Sequence, residues 1–304
     1  MIKYVAGVLY EHAEIKHLTS WRIGGCVRYL YVPKDERDLS IFLREFKKDI
    51  PIMFLGLGSN CLLYDGQINA CLILLRNTFK TFQFDLDNKK VIVSAGLPCP
   101  TLARKASKLG FNHLNFLSGI PGSIGGALFM NAGAFDCEIW QYILSVKIID
   151  QKGQITTKTK DEFEISYRDI TGLKKSEFFI EASLDLNIKN DEIYQSLETL
   201  QSLLDKRYQS QPVNLASCGS VFKNPENDYA ARLIESCSLK GFSIGGAEIS
   251  KKHANFIINK DNATYDDTLN LIKYASKMVF EKHNIYLQPE VKIIGADGGY
   301  QTIW

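Results

Sequence analysis

The chain has 304 residues, of which 45% are hydrophobic and 23% charged. That length accommodates about two domains, or three small ones, each with its own core. The 36 basic and 34 acidic side chains leave a formal net charge of +2, which gives no reason to expect nucleic acid as the partner. The sequence shows neither a secretory signal peptide nor a run of about 20 apolar residues for a membrane span, and it therefore predicts a cytosolic protein.

The first glycine-rich loop follows a predicted strand over 51–55. It reads Gly56-Leu57-Gly58-Ser59-Asn60, and its peptide N–H groups can turn toward a phosphate because no large side chain stands in the way. The loop is not a Rossmann fingerprint, because the third glycine and the acidic ribose partner are missing, and no Gly-Lys-Ser/Thr follows as in a Walker A loop. An ordinary tight turn is the alternative.

A second predicted strand over 91–93 ends at Ala95-Gly96, and a denser glycine cluster lies further along the chain. It reads Gly119-Ile120-Pro121-Gly122-Ser123-Ile124-Gly125-Gly126-Ala127 and then Met130-Asn131-Ala132-Gly133-Ala134. Backbone of this kind can approach a flat or anionic ligand closely, and its N–H groups can line a diphosphate without a cation. Two such clusters favour a dinucleotide ligand, whereas two loops of awkward geometry are the alternative.

The remaining periodicities predict both strands and helices. Alternating apolar residues over 178–186 predict a strand with one buried face, and 146–157 predicts a hairpin that turns at 150–153. A helical stripe over 193–204 must end before Pro212. Thr264 and Asp267 predict a capping box that opens a late helix. The mixture indicates an α+β protein with a domain boundary near residue 200.

Seven scattered cysteines, with no Cys-x-x-Cys pair, predict reduced thiols. Cys218 lies two residues before Ser220, and its role is either that of a nucleophile or redox switch or, as for most free cysteines, that of a packing residue. His253 has no partner at metal-ligand spacing, so we expect a hydrogen-bonded structural histidine and no metal site.

Ser220, Lys223 and Asn224 place a hydroxyl, an ammonium and an amide within a few residues. Ser220 lacks the Gly-x-Ser-x-Gly turn of a hydrolase nucleophile, so its two remaining roles are those of a proton donor and of an exposed loop residue. Arg168 and Glu290 are unremarkable alone. Together, a guanidinium and a protonated carboxyl can stabilise the charge that grows on a substrate carboxylate.

These motifs, taken in order, resemble those of the enolpyruvoylglucosamine reductases from about residue 19 to 295. The resemblance rests on Thr19 to Gly25, Gly56 to Asn60, Gly119 to Gly133, Tyr167-Arg168, Arg207 with Gln211-Pro212, Gly219 to Pro225, Ser250 to Asn259, and Glu290. One departure is Asp136 after Phe135, where relatives usually carry glycine.

The resemblance implies an FAD-binding module of the vanillyl-alcohol-oxidase type in two lobes, 1–75 and 76–200, followed by a C-terminal α+β substrate-binding domain, 201–304. The short C-terminal region resembles the shorter subgroup. NADPH would reduce non-covalently bound FAD, whose N5 would give hydride to the vinyl carbon of UDP-N-acetylglucosamine enolpyruvate, forming UDP-N-acetylmuramate for peptidoglycan. No obligatory protein partner is implied.

The family motifs also imply roles for individual residues. Ser220 would protonate the carbon that bears the ether oxygen, while Arg168 and Glu290 would stabilise the enolate. Substrate contacts would come from Arg207, Lys223 and Asn224. FAD contacts would come from Gly56, Leu57, Gly58, Ser59, Asn60, Gly119, Ile120, Pro121, Ser123, Gly125, Gly126 and Asn131. The rival functions are an oxidase of the same module type, often with covalent FAD, and a nucleotide-sugar-binding regulator without catalysis.

Overall fold

The computed structural model describes residues 5–47, 49–187 and 200–303. The chain divides into two compact units, each built from three segments. Unit 1 comprises Met1–Tyr10, Tyr29–Leu57 and Cys71–Asp205, and unit 2 comprises Glu11–Arg28, Gly58–Ala70 and Lys206–Trp304. The three-part division at residues 75 and 200 stays a prediction.

The described residues contain helices of one to five turns and many short strands. The helices are α1 (Glu36–Glu45), α2 (Cys99–Lys108), α3 (Ile124–Phe129), α4 (Leu200–Ser210), α5 (Ala230–Ser236) and α6 (Tyr265–His283). The strands are β1 (Val8–Glu14), β2 (Cys26–Val32), β3 (Ile52–Leu55), β4 (Cys61–Leu63), β5 (Gln67–Leu74), β6 (Phe82–Asp85), β7 (Lys90–Ser94), β8 (Gly133–Ala134), β9 (Cys137–Glu138), β10 (Ile143–Asp150), β11 (Ile155–Thr159), β12 (Glu164–Ser166), β13 (Asp169–Thr171), β14 (Glu177–Asp185), β15 (Ser243–Ile244), β16 (Ala247–Ile249), β17 (Ile257–Asn259) and β18 (Lys292–Ile294).

The larger sheet of unit 1 is antiparallel, with strand order β11-β10-β14-β7-β6. Strands β10 and β11 form the predicted hairpin, with Ile149 opposite Ile155. Strand β14 confirms the predicted alternation at its later positions, but Phe178 is only half-buried while Phe179 is buried. The pairing of β14 with β10 shifts register between Lys147 and Ile148 of β10. Such a bulge turns the side chains at the start of β14 to the other face of the sheet.

Unit 1 contains two separate hydrophobic cores. One is built from residues between 91 and 186 and includes the buried faces of α2 and α3. The other is built mainly from residues between 29 and 79 and includes α1, with its stacked Tyr31 and Phe42 rings. A four-stranded sheet has the order β1-β2-β5-β3, and its strands β3 and β5 pair in parallel. Because parallel strands are usually covered on both faces, β5 is apolar almost throughout from residue 70.

Unit 2 has one core, packed around α5 and α6. Helix α6 begins with the predicted capping box, in which the Asp267 N–H donates to Thr264 Oγ1 and the Thr264 N–H donates to Asp267 Oδ2, both at 3.0 Å. Ile272 and Val279 are fully buried. Strand β18 pairs in parallel with β4, with Ile293 opposite Leu62.

The last part of the predicted helical stripe over 193–204 lies in helix α4. This helix ends at Ser210, immediately before Gln211-Pro212. Ile193 and Leu197 lie outside the described residues. All seven cysteines are free thiols. In the part of the chain that the structure describes, no helix combines the length and the apolarity needed to cross a membrane.

Candidate active site

The two glycine-rich clusters meet within unit 1. A methyl group placed on Gly56 would lie 2.2 Å from Ser123 Oγ, so only glycine allows this approach. Ser123 is buried, and its Oγ caps α3 by accepting from the Gly126 N–H at 3.4 Å. The Gly125 N–H donates to Ala95 O at 2.7 Å, which ties the start of α3 to the end of β7. The structure therefore brings the first loop and the second cluster together.

The surface of the second cluster is bare backbone over several residues. Pro121 and Gly126 are exposed, and the atom nearest to a methyl group placed on Gly126 is Ser123 Oγ at 3.6 Å. On the inner side, a methyl group on Gly125 would lie 2.9 Å from Ala95 Cβ, and one on Gly119 would lie 2.6 Å from Ala134 Cβ. Inner glycines are thus required by packing, whereas Gly126 leaves space at the surface. This cradle fits a ligand such as FAD, whose ring or diphosphate needs close backbone approach.

The last three residues of the first loop, Gly58, Ser59 and Asn60, belong to unit 2. Gly58 has φ +65°, and a methyl group on it would lie 2.2 Å from Leu18 O. Ser59 is half-buried. The Asn60 side chain donates through Nδ2 to Glu290 O at 3.1 Å, and Asn60 O accepts from the Lys292 N–H at 3.0 Å. Asn60 therefore holds the segment that carries Glu290.

Arg168 lies in the turn between β12 and β13 of unit 1, in the left-handed conformation with φ 56°. Its guanidinium donates to two carbonyl oxygens of the second glycine cluster, Gly133 O at 3.0 Å and Asn131 O at 3.3 Å. Glu138 Oε1 lies 3.8 Å from Arg168 Nη1. The planar side chain is thereby fixed against the second cluster.

Asn131 is fully buried and supports this arrangement. Its Nδ2 donates to Glu138 Oε2 at 2.7 Å and to Ser166 O at 2.9 Å, which is two residues before Arg168. Its Oδ1 accepts from the Trp140 N–H at 3.4 Å. The side chain thus joins the glycine cluster to the Arg168 turn, and a direct contact between this side chain and FAD stays a prediction.

Ser220 and Glu290 lie close together in unit 2, although they are far apart in sequence. The Glu290 N–H donates to Val221 O at 2.8 Å, and the Lys223 N–H donates to Gln288 O at 2.9 Å. The two segments are therefore hydrogen-bonded as a short antiparallel ribbon, with Phe222 opposite Pro289. Both Ser220 and Glu290 are partly exposed.

The environment of Cys218 favours a packing role over a nucleophilic one. It is buried, with 4% of its surface exposed. Burial, followed by the charge of the nearby Glu290 and by Cys61, raises the pKa of the Cys218 thiol well above its usual range. A reactive cysteine needs the opposite shift, so Cys218 is neutral packing beside the site.

The predicted substrate residues all lie in unit 2, with Arg207 on helix α4. Arg207 Nε donates to Gln211 Oε1 at 3.1 Å, and burial lowers the pKa of its guanidinium. Lys223 is half-buried, whereas Asn224 is exposed and its Oδ1 accepts from the Ala230 N–H at 3.1 Å, at the start of α5. A cavity of about 370 Å³ lies between the Gln211-Pro212 motif and the motif that begins at Ser250. Its wall includes Gln211, Pro212, Ser250 and Lys252.

The sequence motif around His253 contains a residue to which sequence reasoning gave no role. Asn255 is buried, and its amide is hydrogen-bonded to both the N–H and the C=O of Phe222. His253 is the structural histidine that was expected: its Nδ1 accepts from the Asn255 N–H at 3.3 Å, and burial, with Lys240 nearby, lowers its pKa. The sequence signal is an asparagine within the Ser250 to Asn259 motif, but the sequence does not show which backbone its amide meets.

Comparisons with known proteins show the family of the chain. A family model described as an FAD binding domain matches residues 27–158, and one described as the C-terminal domain of UDP-N-acetylenolpyruvoylglucosamine reductase matches residues 211–294. The UDP-N-acetylenolpyruvoylglucosamine reductase of Coxiella burnetii (strain Dugway 5J108-111) is 43% identical over 307 residues, covering 95% of this chain and 96% of that protein. The enzyme of the same name from Legionella pneumophila (strain Paris) is 43% identical over 297 residues, covering 97% and 96%.

A solved structure supports the same conclusion. The crystal structure of UDP-N-acetylenolpyruvylglucosamine reductase (MurB) from Thermus caldophilus matches with a TM-score of 0.77 and 28% identity, over 95% of this chain and 99% of that one. The matches confirm FAD as the cofactor and the α+β fold, with an FAD-binding domain of the vanillyl-alcohol-oxidase type and a C-terminal domain. The chain belongs to the UDP-N-acetylenolpyruvoylglucosamine reductase family of oxidoreductases.

Proposed function

We propose that the protein reduces UDP-N-acetylglucosamine enolpyruvate to UDP-N-acetylmuramate, with NADPH as the hydride donor, in cytoplasmic peptidoglycan precursor synthesis. Relatives named UDP-N-acetylenolpyruvoylglucosamine reductase align with this chain over nearly their whole length. The observation that carries the proposal is the ribbon of unit 2, in which Val221, the residue after Ser220, is hydrogen-bonded to Glu290. A hydroxyl and a carboxyl on adjacent strands of one ribbon can act on neighbouring atoms of one substrate.

The reaction adds one hydride and one proton across the enolpyruvyl double bond. The two glycine-rich clusters would hold FAD, which would supply the redox chemistry by which the hydride of NADPH reaches the terminal vinyl carbon of the substrate. The electron pair of the double bond then moves toward the carboxylate as an enolate, and the carbon that bears the ether oxygen takes a proton. The residues of the chain must stabilise this charge and supply that proton.

We propose that Arg168 and Glu290 stabilise the enolate. The guanidinium of Arg168 is fixed by Gly133 O and Asn131 O, so its planar fork is oriented before a carboxylate binds. Glu290 would donate a hydrogen bond from its protonated carboxyl to the growing negative charge. Each side chain is positioned within its own unit.

Ser220 would protonate the carbon. A serine hydroxyl is a poor acid in water, and it donates its proton only to a very basic carbanion. The enolate supplies such a base only after hydride has been added. The proton would therefore leave Ser220 Oγ after the hydride has reached the vinyl carbon, and solvent would return a proton to Ser220 in each turnover.

The UDP group would be bound by the cationic and polar groups of the C-terminal region. Arg207 is partly buried, and burial strengthens the attraction of a cation for a diphosphate. Lys223 and Asn224 follow Ser220 directly, so they can hold the sugar nucleotide near the reacting carbon. The cavity beside Gln211 and Ser250 has the volume of a small-molecule site, and we propose it as part of this nucleotide site.

Replacing Ser220 by Ala tests the proposal in two half-reactions. The variant should bleach its flavin with NADPH at the wild-type rate. Net reoxidation of the reduced flavin by the enolpyruvyl substrate under anaerobic conditions should be lost, because an enolate that is not protonated reverts to the substrate. Ser210→Ala is the matched control, since Ser210 is exposed and its Oγ donates to Lys206 O within α4. If Ser220→Ala reoxidises as fast as Ser210→Ala, Ser220 is not the proton donor.

The rival functions predict other results. An oxidase with tethered FAD would retain its yellow colour in the protein pellet after acid denaturation, whereas we expect all flavin in the supernatant. A binding protein without catalysis would bind the enolpyruvyl nucleotide but would leave its double bond intact. Product analysis by mass spectrometry shows a gain of two hydrogen atoms only for the proposed reductase.

A further inference from the structure

The amide of Asn255 holds a single backbone residue from both sides. Asn255 is 4% exposed. Its Oδ1 accepts from the Phe222 N–H at 2.9 Å, and its Nδ2 donates to Phe222 O at 2.8 Å. Its own carbonyl oxygen also accepts from the Val221 N–H at 2.9 Å. Three hydrogen bonds thus join Asn255 to the two residues that follow Ser220.

The same two residues are bonded to the Glu290 segment on their other side. Val221 O accepts from the Glu290 N–H, and Phe222 pairs with Pro289. Residues 221 and 222 therefore form the central strand of a three-segment arrangement, between Asn255 and 288–290. Since both polar groups of the Phe222 backbone are bonded to one rigid amide, this strand can neither slide nor rotate about its axis without breaking hydrogen bonds.

The residue before Ser220 gives no comparable restraint. Gly219 has φ +83°, and a methyl group placed on it would meet no atom within 4 Å. Gly219 has the conformational freedom of glycine. The backbone pairing on that side begins only at Ser217, which is bridged to Ile258 and whose carbonyl oxygen accepts from Ser20 Oγ at 2.6 Å, so Cys218 and Gly219 separate Ser220 from it. The direction of the Ser220 hydroxyl is consequently set by the strand that follows, which Asn255 fixes.

We propose that Asn255 is a positioning residue for proton transfer, acting through Phe222 and Val221 to hold Ser220 at the distance and angle that the substrate carbon requires. This inference rests on the proposed function, in which Ser220 is the proton donor. An amide is needed because it offers one donor and one acceptor to the same residue. Alanine leaves a buried N–H and C=O without their partners, and an ionised aspartate cannot donate to Phe222 O.

The test compares Asn255→Ala with Asn259→Ala. Asn259 lies in the same segment, and its side chain also makes two backbone hydrogen bonds, from Nδ2 to Trp21 O at 2.9 Å and from the Ala263 N–H to Oδ1 at 2.8 Å. Its side chain bonds to neither Val221 nor Phe222. Both variants should lose stability, so a difference between them isolates the effect on the Ser220 strand.

Stopped-flow absorbance gives the rates of both half-reactions. For Asn255→Ala we expect reoxidation by the enolpyruvyl substrate to slow by roughly 100-fold, the effect of displacing a reacting group by about 1 Å. Flavin reduction by NADPH and the substrate dissociation constant should stay within about threefold of wild type. Asn259→Ala should reoxidise within about threefold of wild type. Asn255→Asp keeps the acceptor for the Phe222 N–H and the shape of the side chain, so its reoxidation rate should lie between those of Asn255→Ala and Asn259→Ala. This variant replaces Asn255→Ala in the test if Asn255→Ala does not fold.

The double variant Ser220→Ala/Asn255→Ala separates the role of Asn255 from the role of Ser220. If Asn255 acts through Ser220, the double variant reoxidises no more slowly than Ser220→Ala alone. Wild-type reoxidation in both Asn255→Asp and Asn255→Ala, with Ser220→Ala inactive, would overturn the positioning role and leave the proposed function intact. Normal reoxidation in Ser220→Ala would overturn the proposed role of Ser220 itself. Equal slowing in Asn255→Ala and Asn259→Ala would show a merely structural effect.

Discussion

The peptide N–H of Glu290 donates to the carbonyl oxygen of Val221 at 2.8 Å, and this bond joins the strand after Ser220 to the segment that carries the proposed acid. Because the bond joins backbone atoms, replacing the side chain of Ser220 or of Glu290 leaves it in place. Variants at Ser220 and Glu290 therefore report on side-chain chemistry and not on the pairing of the two segments.

Replacing Glu290 by Ala should slow reoxidation by the enolpyruvyl substrate by about 100-fold or more, as loss of one donor to a developing oxyanion does in other enzymes. Glu290→Gln should lose less activity, since its amide N–H still donates. Flavin reduction by NADPH should be unchanged in both. Gln288→Ala is the control, because Gln288 is exposed and its backbone carbonyl, which accepts from the Lys223 N–H, is kept in the variant. Wild-type reoxidation in Glu290→Ala would refute the assignment of Glu290.

Arg168→Lys should show whether the guanidinium fork is required. Lysine keeps the charge but cannot bond to Gly133 O and Asn131 O while also presenting a planar face to a carboxylate. Loss of one charged hydrogen bond is worth about 2 kcal/mol, or roughly 30-fold in the reoxidation rate. The exposed Arg104 of α2 provides the matched Arg104→Lys control. Equal rates in the two variants would contradict the role of Arg168.

Gly126→Ala and Gly125→Ala should separate cofactor binding from folding. A methyl group on Gly126 meets Ser123 Oγ at an ordinary 3.6 Å, so the apoprotein should unfold at the wild-type temperature or slightly above it. The same methyl group stands at the bare surface proposed for FAD, and the FAD dissociation constant should rise at least tenfold, about 1.4 kcal/mol. Fluorescence titration of apoprotein with FAD measures this change, and an unaltered constant would place FAD elsewhere.

Gly125→Ala should behave in the opposite way. Its methyl group would lie 2.9 Å from Ala95 Cβ and 3.2 Å from Ala95 O, so part of the core around α3 and β7 must shift. Overpacking of this kind costs about 1 to 3 kcal/mol of stability. Calorimetry of the apoprotein should therefore show a lower unfolding temperature than for Gly126→Ala. A wild-type unfolding temperature in Gly125→Ala would mean that the core absorbs the methyl group freely.

The features that sequence predicted correctly depend on neighbouring residues. The Thr264–Asp267 capping box, the β10–β11 hairpin and the glycine turns are set by residues within a few positions of each other. The hydrogen bonds between Asn255 and Phe222 span 33 positions, and the bond from Trp21 Nε1 to Ile257 O spans 236. Amide and indole donors have many possible partners, and only tertiary packing selects one. The composition of unit 2, which joins 11–28 and 58–70 to the C-terminal region, likewise depends on contacts between segments that are far apart in the chain.

Asp38 gives a prediction on the stability of unit 1 that does not involve catalysis. Its buried carboxylate accepts from Tyr31 Oη at 2.6 Å and from the Lys34 N–H at 2.8 Å, and it also bonds to the Ala6 N–H. Burial opposes the charge of Asp38, but these hydrogen bonds outweigh it and hold the pKa of Asp38 below its usual value. Burial and Asp38 both raise the pKa of Tyr31.

A carboxyl with a lowered pKa in the folded state stabilises the fold above its unfolded pKa of about 3.9, and this contribution is lost as pH falls through the lower folded value. In Asp38→Asn the single amide oxygen can still accept from Tyr31 and the Lys34 N–H, but the NH2 group then faces the Ala6 N–H and cannot accept from it. At pH 7 the free energy of unfolding should therefore fall by about 2 kcal/mol. Below pH 3 the gap between wild type and variant should narrow, because the wild-type carboxyl is then being protonated. Urea unfolding at both pH values measures this gap, with Asp87→Asn, in the exposed turn after β6, as the control. A gap of equal size at pH 7 and below pH 3 would show that the charge of Asp38 contributes nothing to the stability of the fold.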